Sequence, residues 1–404
     1  MEQKDRLKDL IKRLHAGEDQ DQIKEEFKKE FGHVSSSEIA KLEAELIGEG
    51  LEVEEIQKLC NIHADVFQGN ISDLHTLDQV DQEKGHPLHI FRKENAGLAE
   101  YLRDTFEPLL EEYKDSFKKE AKIDLLAEVA KLSKIDKHYS RKENLFFPFL
   151  EKAGVYGPPQ VMWGKDDEVR DLLKEASKLD GSDLVTKLEK AIEEIKSMIT
   201  KENDILSPLL LKNIKPLEWI TIADASATIG YAFNEKIEGA APSDAINWIE
   251  KQKGQGLDNS DEILEESKVM EGETIYFPSG KINYKDLVTM LNAYPEDITF
   301  IDKEDKVAYF SEGKDPVFAR TRTIIGRDVR NCHPPKAIPV VEQLLKDFKA
   351  GIKDEEIRIM ARGTKVLLIR YFAVRDEKGE YIGTLETTEE ISKILEAVDQ
   401  IRDK

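Results

Sequence analysis

The hydrophobic period of this chain changes once, near residue 280, and no fold built from one kind of element fits both sides. Up to about Tyr231 the apolar residues recur at three- and four-residue intervals, the period of an amphipathic helix. Beyond Gly280 they alternate instead. Ile298–Asp302 and Val307–Phe310 read as a hairpin turning through Lys303-Glu304-Asp305-Lys306. A helix fits Ala337 to Lys349. Glu356–Ala361, Val366–Val374 and Tyr381–Thr387 then alternate as strands, with Asp376-Glu377-Lys378-Gly379 as a second turn. The expected fold is therefore multidomain, with an all-α first part followed by an α+β domain on an antiparallel sheet.

The helical part divides further. Residues 1–79 read as a domain of short amphipathic helices: Leu7, Leu10, Ile11 and Leu14 share a face, as do Ile39, Leu42, Leu46 and Ile47 between Ser36 and Gly48. Residues 80–232 hold longer helices, one starting near Pro87 and bent at Pro108, a second over about Lys122–Lys152, a third after Trp163-Gly164 and a fourth over Ser182–Leu211. Four helices on short connections predict an antiparallel bundle. Residues 233–282 are weakly patterned and read as a helical linker, which leaves 283–404 for the sheet domain.

Composition narrows the function. The 404 residues carry 82 Asp and Glu against 60 Lys and Arg, a formal charge of −22, with no basic run to neutralise phosphates. Nucleic acid is not an expected partner. Neither is a membrane, because no apolar stretch reaches the roughly 20 residues that span a bilayer. Cys60 and Cys332 stand alone and far apart, which suits a reducing compartment, and the cytoplasm is the expected location. Cys60 reads as a small core residue, and His15, His33, His63 and His75 as surface positions. Gly254-Gln255-Gly256 lacks its third glycine, Asn259 standing there, and follows no strand, so no dinucleotide loop is expected.

One phrase recurs inside the bundle. His89-Ile90-Phe91-Arg92-Lys93-Glu94-Asn95 is echoed by His138-Tyr139-Ser140-Arg141-Lys142-Glu143-Asn144 and, in part, by Ser197-Met198-Ile199-Thr200-Lys201-Glu202-Asn203. His86 adds an imidazole one turn before His89. Imidazoles and carboxylates on facing helices are the donors of a buried iron or manganese site. Lys-Glu pairs are equally what a solvated helix face carries. The apolar residues after Glu143 (Leu145, Phe146, Phe147, Phe149) and after Glu202 (Ile205, Leu206, Leu209, Leu210) favour the buried reading, since a carboxylate there needs a partner.

These residues resemble a known family. His86-Pro87, then His138…Glu143…Phe146-Phe147-Pro148, then Glu202…Ile205-Leu206-Ser207-Pro208 are similar to the hemerythrin-like HHE cation-binding domain, over residues 86–211. Asn331-Cys332-His333-Pro334-Pro335-Lys336 and Ile369–Asp376 resemble the PAS segment of prokaryotic proteins that join a helical N-terminal domain, an HHE bundle and a PAS domain. The resemblance implies a metal-binding sensor or signalling protein, its hemerythrin-like site responding to oxygen, nitric oxide or redox state and coupled to the PAS domain. The implied metal is iron, with manganese or zinc as alternatives, on His86, His89, Glu94, His138, Glu143 and Glu202. Asp166 and Glu168 stand near the set.

The pattern also departs from the family. Counted back from Pro148, the usual Glu position holds Lys142, and Glu143 lies one step further round. Five residues turn a helix about 140°, so His138 and Glu143 do not face the same way. Met198 and Asp166 stand where His is expected, and Asn95 near a second His. In the PAS domain Cys332 and His333 are candidate ligands for a haem, or for a small molecule, at the wall of its pocket. A protein partner, or a homodimer through PAS surfaces, would carry the output. The competing functions are a metal-dependent redox or iron-handling enzyme and a scaffold whose metal site has decayed.

Overall fold

The computed structural model describes residues 83–254 and 274–402, apart from 234–236, 315, 319, 363 and 364, together with Val80 and parts of 5–31. The expected helix from Ser36 to Gly48, Cys60, and the histidines at 15, 33, 63 and 75 lie outside the described residues. The chain forms two compact units, Met1–Asp258 and Asn259–Lys404. In the N-terminal stretch α1 (Gln20–Phe31) is helical, and Arg13 bridges Glu18 and Glu26.

The bundle begins as its sequence predicts. His86 caps α2 (Pro87–Tyr101), its Nδ1 accepting the Leu88 N–H at 3.1 Å, and Pro87 takes the first turn, where a missing N–H costs nothing. A π-helical turn at Leu102–Phe106 leads into α3 (Glu107–Ser116). α4 (Lys119–Leu132) and α5 (Ile135–Arg141) replace the one long second helix expected, with Ser133 and Lys134 between them. After α5 come a π turn at Lys142–Phe146 and α6 (Phe147–Lys152). α7 runs from Gly157 to Ala176, earlier than expected because Pro158 and Pro159 fit a first turn. α8 (Gly181–Lys201), a π turn at Glu202–Leu206 and α9 (Ser207–Asn213) make the last long rod, and α10 (Pro216–Ile229) follows. Within the segment expected as a linker, α11 (Pro242–Gly254) packs on α10, and Trp248 Nε1 donates to Glu83 at 2.8 Å.

The three π turns share one cause. Each ends two residues before a proline: Pro108, Pro148 and Pro208. A proline in an α-helix removes one N–H and crowds the carbonyl four residues back. Widening the turn relieves that crowding. The Glu107, Phe147 and Ser207 amides reach five residues back, to the Leu102, Lys142 and Glu202 carbonyls. The rods therefore continue through their prolines.

Four apolar stripes close the bundle. They run through Leu88, Phe91 and Leu98 on α2 and Leu102 in the turn after it; Ile135 and Tyr139 on α5; Met162, Val169, Leu173 and Ala176 on α7; and Leu184, Leu188, Ala191, Ile195 and Met198 on α8, all buried. Each buried Leu or Phe contributes about 1.5–3 kcal/mol. Met198 is simply a core residue of its stripe.

The second unit opens with a hairpin, β1 (Thr274–Phe277) and β2 (Gly280–Asn283), and helix α12 (Tyr284–Ala293), none of which the alternation predicted. Then come β3 (Asp297–Asp302), β4 (Val307–Phe310), α13 (Ile338–Lys349), β5 (Glu355–Arg362), β6 (Lys365–Arg375), β7 (Tyr381–Glu390) and α14 (Ser392–Arg402). The strands stand in the order β4-β3-β7-β6-β5, and every neighbouring pair is antiparallel. The first expected turn forms as read: Asp302 accepts the Glu304 and Lys306 amides on Oδ1 at 3.0 and 2.9 Å, while Asp305 adopts a φ of 64° that Asp tolerates.

Candidate functional site

The bundle interior gathers charge where its stripes call for apolar residues. Asn95, Lys142, Asp166 and Glu202 continue the stripes of α2, α5, α7 and α8, and none is more than 1% exposed. His138 bridges two helices through both ring nitrogens: Nδ1 lies 2.9 Å from Glu94 Oε2 and Nε2 lies 3.0 Å from Glu202 Oε2. The second Glu94 oxygen accepts the Ala232 amide at 2.7 Å, and Arg141 Nη2 donates to the first. Lys142 Nζ donates to Asp166 Oδ1 at 2.7 Å and to Glu202 Oε1. Phe91 stacks on the His138 ring at 4.0 Å, nearly parallel, and fixes its plane.

Of the sequence-predicted ligands, then, His138, Glu94 and Glu202 meet, with Asp166 beside them. Glu143 turns away, as the helical count implied. It receives a two-pronged contact from Arg170, Nη1 to Oε1 at 2.7 Å and Nη2 to Oε2 at 3.0 Å. His86 is occupied as the α2 cap, its ring 4.6 Å from that of Trp219 and 5.1 Å from that of Trp248. His89 is buried one turn on. Glu168 pairs with Lys165 and Lys190 near the surface. In the sequence Arg141 and Arg170 carry no visible role, and Lys142 stands only as a departure from the family pattern. The signal available was a polar residue inside an apolar stripe.

The electrostatics follow from closure. Burial opposes ionisation of Glu202, yet Lys142 and His138 outweigh it and hold the carboxyl down to about 2. Burial pushes the Asp166 carboxyl well above its ordinary range, and pushes Glu143 up despite Arg170. The Lys142 ammonium is disfavoured by burial, but Asp166 and Glu202 more than offset this and its pKa is raised. Burial brings the Arg141 guanidinium to about 10, so it stays charged at neutral pH.

These residues do not fit a metal ion. A ligand must turn a lone pair to the metal, whereas both His138 nitrogens and the Glu94, Glu143 and Glu202 carboxylates are engaged, three of the four partners being fixed cations. Among the described residues no group of three or more His, Cys, Asp or Glu side chains is arranged to hold a metal.

Burial and the neighbouring His89 lower His86 to about 3, against an unfolded value near 6.5. As pH falls below about 6.5 the unfolded chain takes up a proton that the folded chain refuses, so stability falls, at up to about 1.4 kcal/mol per pH unit. Protonation at Nδ1 would also end the acceptance of the Leu88 amide. Urea titrations at pH 7 and 5 should show this loss, and His86→Asn, which keeps a capping acceptor, should remove that part of it. An unchanged loss in the variant would acquit His86.

In the second unit the cross-strand register places Asp297, Thr299, Glu386, Thr388, Ile369 and Tyr371 on one sheet face. Arg320 bridges two of them, with Nη1 3.2 Å from Asp297 Oδ2 and Nη2 2.7 Å from Glu386 Oε1. The Val317 amide donates to the same Asp297 oxygen at 2.7 Å. The Thr299 and Thr388 hydroxyls are buried there without a hydrogen-bond partner among the described residues. Arg370 lies on the opposite face with Leu368 and pairs with Glu296. His333 Nδ1 lies 2.8 Å from the Val329 carbonyl, and Cys332 packs on Val307, Phe310 and Ile324, so both have local structural contacts.

Comparison with known proteins agrees with this architecture. Residues 86–210 match the hemerythrin HHE cation binding domain, and residues 287–392 match a PAS domain. The chain pairs a hemerythrin-like bundle with a PAS domain. Residues 7–73 match a family of unknown function, DUF438. A solved C-terminal domain from Streptococcus mutans is 29% identical at a TM-score of 0.30, covering 31% of this chain and 97% of its own. No curated protein matches. An HHE cation-binding domain joined to a PAS domain supports, in general terms, a metal-binding sensor or signalling protein. No helix among the described residues is long and apolar enough to cross a membrane.

Proposed function

We propose that this chain is a signalling protein of the sensor type, whose PAS domain takes a small polar molecule against the sheet face that carries Thr299 and Thr388. The observation behind this reading is the pair of buried hydroxyls flanking the Arg320 bridge, which have no hydrogen-bond partner among the described residues. A buried polar group left unsatisfied costs about 1–3 kcal/mol, and native interiors keep few of them. Arg320 carries one positive charge between the carboxylates of Asp297 and Glu386, so the patch has a formal charge of −1. A neutral or cationic molecule with hydroxyl or ammonium groups suits it better than a carboxylic acid.

An oxygen-, nitric oxide- or redox-responsive metal in the bundle would need lone pairs that Arg141, Lys142 and Arg170 already engage, so sensing is assigned here to the PAS domain. A second copy pairing along edge strand β5 is the partner proposed, supported by Ile357 and Ile359, 55% and 66% exposed on one face of that strand.

Thermal-shift screening of the full chain against polyols, amines, carboxylic acids, haem and flavins tests the ligand. Polyols or amines should raise the melting temperature by several degrees at saturation, and Thr388→Val should weaken that rise at least threefold. A response confined to carboxylic acids, haem or flavins, or no response, would overturn the reading.

A further inference from the structure

Among the buried cations of the bundle, Lys142 has the fullest set of partners. Lys142 is fully buried, and its ammonium meets three partners: Asp166 Oδ1 at 2.7 Å, Glu202 Oε1, and the face of Tyr139, whose ring centroid lies 4.5 Å away. An ammonium has three N–H groups to direct, and a π face accepts one as a carboxylate does. The contacts extend from there. Glu202 faces His138, His138 faces Glu94, and Glu94 accepts from Arg141, so a continuous line of side chains joins α2, α5, α7 and the end of α8. Arg170 closes a parallel pair with Glu143.

We propose that Lys142 is the resident cation of this bundle: its ammonium neutralises Asp166 and Glu202 at the helix junction, and the bundle closes around it with no metal bound. The donor chemistry carries the inference. Carboxylates at such a junction serve a metal or an ammonium equally well, because both supply positive charge to buried oxygens. What excludes the metal here is the fixed charge already among the oxygens, which would repel a divalent ion at close range. The position is also deliberate in sequence terms, since Lys142 continues the apolar stripe of α5, where an unpaired lysine would not be tolerated.

The test uses the full chain, purified without a histidine tag or chelator. The wild type should carry well below one equivalent of iron, manganese or zinc, and neither EDTA nor added Mn²⁺ or Zn²⁺ should move its melting temperature. Lys142→Ala should melt about 10 °C lower, because Asp166 and Glu202 lose their counter-charge, and added Mn²⁺ or Zn²⁺ should restore several degrees through the vacated carboxylates of Asp166 and Glu202. Should that variant fail to fold, Lys142→Arg, which keeps a cation, should fold and stay indifferent to metal. Stoichiometric metal in the wild type, a metal-induced rise there equal to that of the variant, or a Lys142→Ala protein that melts like the wild type would each overturn the proposal.

Discussion

Arg170→Leu is expected to destabilise the helical unit by about 3 kcal/mol, the lower end of what breaking a buried ion pair costs. The substitution removes both prongs of the contact to Glu143, and with them the 2.7 Å bond to Asp136 and the 3.1 Å bond to Asp167. Glu143 is 4% exposed, so the carboxylate left behind must neutralise itself or draw in water. The double variant Arg170→Leu/Glu143→Leu should recover much of the loss, since two apolar side chains replace the pair without an orphaned charge. Chemical denaturation followed by far-ultraviolet circular dichroism measures both. A single variant within 1 kcal/mol of the wild type would show that the pair contributes little.

The second large effect is expected at Gly383. This residue of β7 pairs with Asp302 on one side and Val374 on the other. A Cβ there would lie 2.4 Å from the Ile301 carbonyl oxygen and 2.5 Å from the Phe300 ring, so the backbone of the central strand pair must give way. Gly383→Val should cost about 3 kcal/mol, at the upper end of overpacking penalties. Gly254→Ala is the control, having nothing within 4 Å of the added carbon. Because Met1–Asp258 and Asn259–Lys404 are separate compact units, calorimetry should show the sheet unit melting earlier while the helical unit keeps its transition. One joint transition, shifted as a whole, would contradict that independence.

Much of the architecture is legible in local patterns. The hairpin β3–β4, helix α13 and strands β5 to β7 lie within a residue or a few of where alternation, helical period and turn residues predict them. The four stripes follow from three- and four-residue spacing, and the same spacing marks Asn95, Lys142, Asp166 and Glu202 as polar residues at apolar positions. The prolines at 108, 148 and 208 are equally visible, yet only Pro108 reads as a bend and none of them reads as a widened turn. Whether a proline ends a helix or widens it into a π turn depends on how firmly the flanking rods are packed, and that is not a local property.

What the sequence alone determined about this protein is its division into helical and sheet parts and which positions face inward, because hydrophobic period acts over a few residues and needs no partner. What only the tertiary structure decided is the pairing: β3 beside β7 rather than β5, and Lys142 against Asp166 and Glu202 rather than solvent. The physical reason is range. A buried charge takes whichever opposite charge the closed interior brings within about 3 Å, and residues 24 and 60 positions away along the chain become neighbours only once the helices have packed.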